Sequence, residues 1–283
     1  MNSSEWSLLA FTLIGQFSAG ISLTLTVFLI LTPSVSRVNY TQLIRTGLLV
    51  AMGAIVIALA VSFLHLSAPL SAIYAMSNLK GSWLSREILL VSLYAASITI
   101  TTIYWVGMKR DYKYTFPLLL LSTVMGILMV LSMGKLYMIA TIPAWDTPLT
   151  LISFYIAMLL LGIPFILLMS QYLYKNDFPL KVEKAFLFII ILAVATKLVT
   201  QAVDWQNTAN YVIGFEPESI SAFWKALSWA WVLGIGLVIR KIYPQPHDKP
   251  QGSKIYLWAF FFFATAEFAS RVIFYSSYFR VGI

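Results

Sequence analysis

The sequence predicts an all-α polytopic membrane protein with eight transmembrane helices. Of its 283 residues, 60% are hydrophobic and only 11% charged, with a mean hydropathy of +0.83. A soluble domain carries charge on about a quarter of its residues. The apolar residues gather in runs of about 20, the length that crosses the hydrocarbon of a bilayer, with short polar connections between them. Open strand edges and loops cannot survive in lipid, so runs of this length are read as helices.

The runs follow in order. Trp6 to Leu31 is preceded by no lysine or arginine, so it lacks the basic start of a cleavable signal peptide and reads as a retained helix. Thr46 to His65 ends on a histidine, with Pro69 beyond it. Ile88 to Val106 starts directly after Arg86 and Glu87, and Tyr114 to Gly134 carries Pro117 near its start. Pro148 to Tyr174 opens on a proline, which suits a first helical turn, and holds Pro164 inside. Three less uniform runs complete the set: Ala185 to Val203 is interrupted by Lys197, Ile220 to Ile239 by Lys225, and Ile255 to Tyr275 by Glu267 and Arg271. Nothing marks a second soluble domain, so residues 1–283 read as a single integral-membrane domain. Eight helices can pack as two four-helix groups, divided near Asp146.

Charge orients the spans. Connections after the first, third, fifth and seventh spans hold Arg37, Arg45, Lys109, Arg110, Lys113, Lys175, Lys181, Lys184, Arg240, Lys241, Lys249 and Lys254, twelve of the 19 basic residues. The other side holds only Lys80, Arg86, Lys135 and Arg280. By the positive-inside rule both termini face out. The net charge of +8 is explained by these loops and forms no continuous patch for nucleic acid.

With no cysteine, the protein has no disulfide, thiolate-held iron–sulfur cluster or cysteine zinc site. Its two histidines, His65 and His247, fall on opposite sides of the expected bilayer, which argues against a bis-histidine haem. No metal is expected in this polypeptide.

Ionisable residues within or beside spans are expensive in lipid and point to a site. At 1.5 Å per residue, Glu267 lies roughly 18 Å and Arg271 roughly 24 Å along the last span from Ile255, in its outer half. His65, Glu87, Lys135, Lys197 and Lys225 also fall near the outer ends of their spans. Glu267, Arg271 and Tyr275 recur at intervals of four, on one helix face, so the carboxylate is expected to neutralise the guanidinium in an ion pair that locks packing or supports a site. An imidazole titrates near neutral pH and can accept a proton from a bound hydroxyl, which makes His65 a candidate base and Glu87 the group that carries the proton onward. As a bland alternative, His65 only satisfies a backbone carbonyl at the membrane surface. Tryptophans near span ends, Trp83, Trp105, Trp145, Trp205 and Trp224, read mostly as interfacial belt residues.

His65-Leu66 with Pro69, Asn78-Leu79, Ser82-Trp83-Leu84-Ser85-Arg86-Glu87, and Glu267 with Arg271 and Phe274-Tyr275 form a set of short motifs. Through them, and over essentially its whole length, the sequence resembles the membrane-anchor subunits of dimethyl sulfoxide reductases. Phe11-Thr12, Gly15-Gln16 and Pro143-Ala144-Trp145 fit as well. Ser67-Ala68 stands where the family usually has a glycine after His-Leu, which removes some conformational freedom from that turn.

The resemblance implies an eight-span anchor in the bacterial cytoplasmic membrane that oxidises menaquinol during anaerobic respiration. It implies an iron–sulfur electron-transfer subunit and a molybdopterin catalytic subunit as partners, with the clusters and the molybdenum in those subunits. The residues matching the family's quinol site are His65 and Glu87; Arg86 is added from adjacency and charge. A polytopic small-molecule or ion transporter, with Lys197, Glu267 and Arg271 lining a pathway, is the alternative, and an anchor without redox function is a third reading. Orientation is open to direct measurement in a protein without native cysteine. A single cysteine placed near Lys181 is expected to resist an impermeant thiol reagent in intact cells and to react after permeabilisation; labelling from outside would reverse the topology.

Overall fold

A computed structural model of the protein describes residues 3–33, 39–63, 78–107, 111–174, 177–211, 222–242 and 252–276. His65 and His247 lie outside the described residues, as do Leu66 and Pro69. Among the described residues the regular structure is helical: α1 (Ser3–Leu31), α2 (Thr41–Phe63), α3 (Trp83–Gly107), α4 (Tyr112–Tyr137), α5 (Pro148–Tyr174), α6 (Leu180–Tyr211), α7 (Ala222–Leu227), α8 (Trp231–Ile242) and α9 (Gly252–Ser276). Eight of the resulting segments are long and apolar enough to cross a membrane, with α7 and α8 sharing one of them.

Several helices begin earlier than apolarity alone suggests, because polar residues cap them. Ser82 Oγ accepts from Ser85 N at 3.3 Å, which starts α3 ahead of Arg86 and Glu87 and draws both into the helix. Asp111 Oδ1 accepts from Lys113 N at 2.8 Å ahead of α4. Thr147 Oγ1 accepts from Leu149 N at 2.9 Å, with Pro148 at the first helical position of α5, where a missing N–H loses nothing.

The seventh span is discontinuous. After α7 the backbone turns through Ser228, Trp229 and Ala230, where Trp229 N, Ala230 N and Val232 N each bond a carbonyl three residues back. No proline causes this. Ser228 Oγ donates to Lys225 O at 2.7 Å and accepts from Gln201 Nε2 of α6 at 2.9 Å, while Trp231 Nε1 donates to Gln201 Oε1 at 3.0 Å. A side chain of another helix thus fixes the turn.

Packing divides the helices as two rings of four spans. In the first, α1 packs on α2 and α4, and α3 on α2 and α4; in the second, α5 packs on α6 and α9, and α8 on α6 and α9. Between the rings, α1 meets α5 and α9, and α5 meets α4 and α2. Exchanging the first span with the fifth and the fourth with the eighth carries the α1–α9 contact onto the α5–α4 contact, whereas the α2–α5 contact has no α6–α1 counterpart of similar extent among the described residues.

Small residues make the central crossing. A Cβ on Gly20 would collide with the Met158 carbonyl oxygen, and one on Gly162 with the backbone of Gly20. Such close approach is how helices gain dispersion energy in lipid, where hydrophobic burial drives nothing. Hydroxyl groups then staple the first ring: Ser18 Oγ lies 2.6 Å from Ala51 O and 2.8 Å from Tyr94 Oη, and the Thr26 and Thr123 hydroxyls are 2.7 Å apart.

Trp105 and Trp145 are buried, not placed in an interfacial belt. Trp105 lies edge-on to Tyr112, and Trp145 stacks on Phe274 with a centroid distance of 5.0 Å.

Gly162→Leu forces two backbones apart and is expected to destabilise the protein by more than the roughly 1–3 kcal/mol typical of overpacking. Gly53, where an added Cβ meets nothing within 4 Å, should accept alanine at neutral or slightly positive effect. Thermal unfolding of the detergent-solubilised variants checks both.

Candidate functional site

The alternating directions of the spans bring the starts of α1, α3 and α5 and the ends of α4 and α9 to one end of the protein, with Lys197 late in α6. Glu87, Lys197, Glu267 and Arg271, four of the five buried charged residues among those described, lie towards that end, while Glu183 lies at the start of α6 at the other. Arg271 is five residues, roughly 7.5 Å, short of the end of α9.

Glu87 sits in the second turn of α3, 5% exposed. Its Oε1 is buried and accepts no hydrogen bond among the described residues. The groups around it include Tyr137 at the end of α4 and Tyr275 near the end of α9, both close enough to interact with it electrostatically. Tyr275 Oη donates to Tyr137 Oη at 2.8 Å and lies 3.4 Å from the Thr12 hydroxyl of α1. Thr12 is fixed in turn by donating to Leu9 O at 3.0 Å.

Arg271 extends this group. Its Nη2 donates to Gln16 Oε1 of α1 at 3.1 Å, and its Cζ lies 3.7 Å from the centre of the Phe154 ring and 5.6 Å from that of Phe274. A desolvated guanidinium over an aromatic face gains about 2 kcal/mol, which offsets part of its loss of water. The spacing of Glu267 and Arg271 suggests a pair within α9. Instead the cation at ion-pair distance from Glu267 is Lys197 of α6, with Nζ 2.9 Å from Oε1. Both charges are sealed from solvent.

Arg86 is adjacent to Glu87 in sequence but engaged elsewhere. Its Nε donates to Leu79 O at 2.8 Å, Nη2 to Lys80 O at 2.6 Å, and its guanidinium lies 4.4 Å from the Trp83 ring. It therefore braces the turn that feeds α3, together with Asn78, whose Oδ1 accepts from Gly81 N at 3.1 Å. Ser82-Trp83-Leu84-Ser85-Arg86-Glu87 is thus a cap, a stacked cation and a buried acid in six residues.

Tyr137 and Phe154 carry no signal in the sequence that sets them apart. Tyr137 lies three residues past Gly134, where the apolar run ends, and α4 continues through it. Aromatic side chains are common at span ends, so nothing local separates this phenol from a belt residue. No group of three or more potential metal ligands occurs among the described residues.

Arranged this way, the end of the protein offers an unsatisfied buried acid, a phenol pair and a buried cation held by Gln16 and the Phe154 ring. Chemically it can take up a proton from a ligand entering from the lipid. The Lys197–Glu267 ion pair joins α6 to α9. Lys197→Met leaves a carboxylate buried without its partner and is expected to lower stability by about 3–5 kcal/mol, whereas Lys197→Met combined with Glu267→Leu recovers most of it. Thermal unfolding of the two variants separates these outcomes.

The family model described as DMSO reductase anchor subunit (DmsC) matches residues 1–276. The C subunit of the anaerobic dimethyl sulfoxide reductase of Haemophilus influenzae is 26% identical over 162 residues, 56% of this protein and 56% of that one. The YnfH subunit of the anaerobic dimethyl sulfoxide reductase of Escherichia coli K12 is 26% identical over 166 residues, 56% of this protein and 55% of that one. The matched region spans about half the length of these curated relatives. No solved structure matches the sequence. Eight membrane-crossing segments and a family match that takes in every one of them lead to one conclusion: this multi-pass membrane protein belongs to the DMSO reductase anchor subunit (DmsC) family.

Proposed function

We propose that the protein oxidises menaquinol in the bacterial cytoplasmic membrane and passes the electrons to an iron–sulfur subunit, which feeds a molybdopterin catalytic subunit. The observation that carries this reading is Glu87, a buried carboxylate with an unpartnered oxygen in the second turn of α3, 22 residues after His65 in the sequence. Family membership supplies the redox context.

Menaquinol enters from the lipid near the end of α2 and the start of α3. His65 bonds one hydroxyl, and Glu87 takes up a proton and releases it towards water. Breaking both O–H bonds yields the quinone, two protons and two electrons, and the oxidised iron–sulfur centre of the partner accepts the electrons. Arg86 contributes by holding the turn from Leu79 to Ser82, which sets the entry to α3. The protein has no cysteine to hold a cluster, so the quinol has to lie close to the partner's nearest centre.

Both termini and the site face outside, following the distribution of basic loops. The connections between spans two and three and between spans six and seven form the docking surface for the partner. Terminal substrate is chosen by the molybdopterin subunit, so a sister complex reducing another oxide uses the same anchor chemistry.

Transport is less well supported. Transporter sites form where discontinuous helices recur at corresponding positions of two repeats, near the midplane. Here the seventh span is broken, while α3, its counterpart in the first ring, runs unbroken from Trp83 to Gly107. Four of the five buried charged side chains among the described residues, Glu87, Lys197, Glu267 and Arg271, also gather at one end, with Glu183 at the other.

Menaquinol-driven reduction of the bound iron–sulfur centres tests the proposal in the complex with its partners. His65→Ala and Glu87→Gln are each expected to slow it at least tenfold, below the range of roughly 100-fold and more for losing a fully committed acid–base group. Wild-type rates in both variants would remove these residues from the site, and no reduction in the wild-type complex would leave anchoring or transport.

A further inference from the structure

The polar groups beside Glu87 are left unbalanced. Glu87 Oε1 is buried with nothing donating to it among the described residues. Tyr137 is 5% exposed, and its oxygen accepts the proton of Tyr275 at 2.8 Å. That contact uses a lone pair and leaves the Tyr137 O–H without an acceptor among the described residues. An ionised carboxylate can only accept, and the remaining phenolic proton can only donate. Buried groups of this kind are rarely left unmatched, because each has given up its hydrogen bonds to water and gained none in return.

A ligand atom placed between them would satisfy both. It has to give a proton to Glu87 and take one from Tyr137, which a hydroxyl does through a single oxygen. An ether or carbonyl only accepts, and an ammonium only donates.

We infer that Tyr137 is a further contact for the quinol, donating its O–H to the same quinol oxygen whose proton is directed at Glu87. This rests on the quinol-oxidation reading and extends that site from α3 to α4. Menaquinol meets the requirement at either ring oxygen. After oxidation the oxygen is a carbonyl, which still accepts from Tyr137 but no longer offers anything to Glu87.

The surroundings suit such a role. The Tyr137 ring is held by Trp145, Phe154, Phe274 and Tyr275, with centroids 5.5 to 5.7 Å away. Tyr275 occupies the lone pair that faces α9, which turns the Tyr137 proton away from that helix. Tyr275 is therefore a positioning residue. Arg271, held by Gln16 and the Phe154 ring, lies close enough to both phenols to interact with them electrostatically.

The complex with its partner subunits provides the test, with menadiol as donor and reduction of the bound iron–sulfur centres as the signal, normalised to the amount of those centres. Tyr137→Phe keeps the ring in its aromatic nest and removes only the hydroxyl. It is expected to raise KM for menadiol about tenfold with a smaller fall in kcat, the effect of one buried hydrogen bond. Tyr275→Phe is expected to raise KM about threefold, because Tyr137 then loses its orientation and not its donor. Tyr40→Phe, which removes a hydroxyl that donates to the Asp177 carbonyl at the opposite end, should leave both constants unchanged.

An unchanged KM in Tyr137→Phe means that a trapped water, which has the same donor and acceptor capacity, fills the gap, and overturns the inference. A fall in kcat alone overturns it too, since the contact is one of binding. If His65→Ala and Glu87→Gln cut oxidation in the same assay while Tyr137→Phe is silent, only this inference fails. If all three are silent, the quinol site lies elsewhere and the underlying reading falls with it.

Discussion

The crossing of α1 and α5 at Gly20 and Gly162 is the contact on which the remaining architecture depends. Lipid gives no hydrophobic drive for helices to associate, so backbone approach and interhelical hydrogen bonds have to supply it. Because two glycines meet there, the two four-span rings come close enough for α9 to reach across to α1 and α4. Arg271 then finds Gln16, and Tyr275 finds Tyr137 and Thr12. A side chain at either glycine would press on the backbone of the facing helix and move those partners apart.

The number and order of helices were legible because a bilayer imposes one length on every span. Their ends were less so. Apolarity stops near Ile88 and Ala185, but capping by Ser82 and the carbonyl of Pro179 extends α3 and α6 outward through polar residues. The break in the seventh span was not legible at all: no proline or glycine marks it, and the residue that stabilises the turn, Gln201, belongs to another helix.

The site shows the same division between local and tertiary information. Clustering of Glu87, Lys197, Glu267 and Arg271 towards one end followed from counting residues along each span. The pairing did not. Spacing of four put Arg271 beside Glu267, yet Lys197 supplies the ion pair, since a helix periodicity reports what shares a face and says nothing of what packs against it. Arg86 looked like part of the binding group by adjacency; neighbours in a helix point about 100° apart, and its guanidinium serves the preceding turn.

The divided seventh span also bears on how the protein is made. A six-residue α7 is too short to satisfy its own backbone in hydrocarbon, and the turn that follows it depends on Gln201 of α6 and on packing against α9. During synthesis α6 is already present when α7 and α8 emerge, but α9 is not. Stable insertion of the seventh span is therefore expected to wait for the eighth, with the last two spans entering the bilayer as one hairpin. Biogenesis of the second ring ends only when the final helix, which also delivers Arg271 and Tyr275, has been added, so that a polypeptide lacking its polar site also lacks a completed fold.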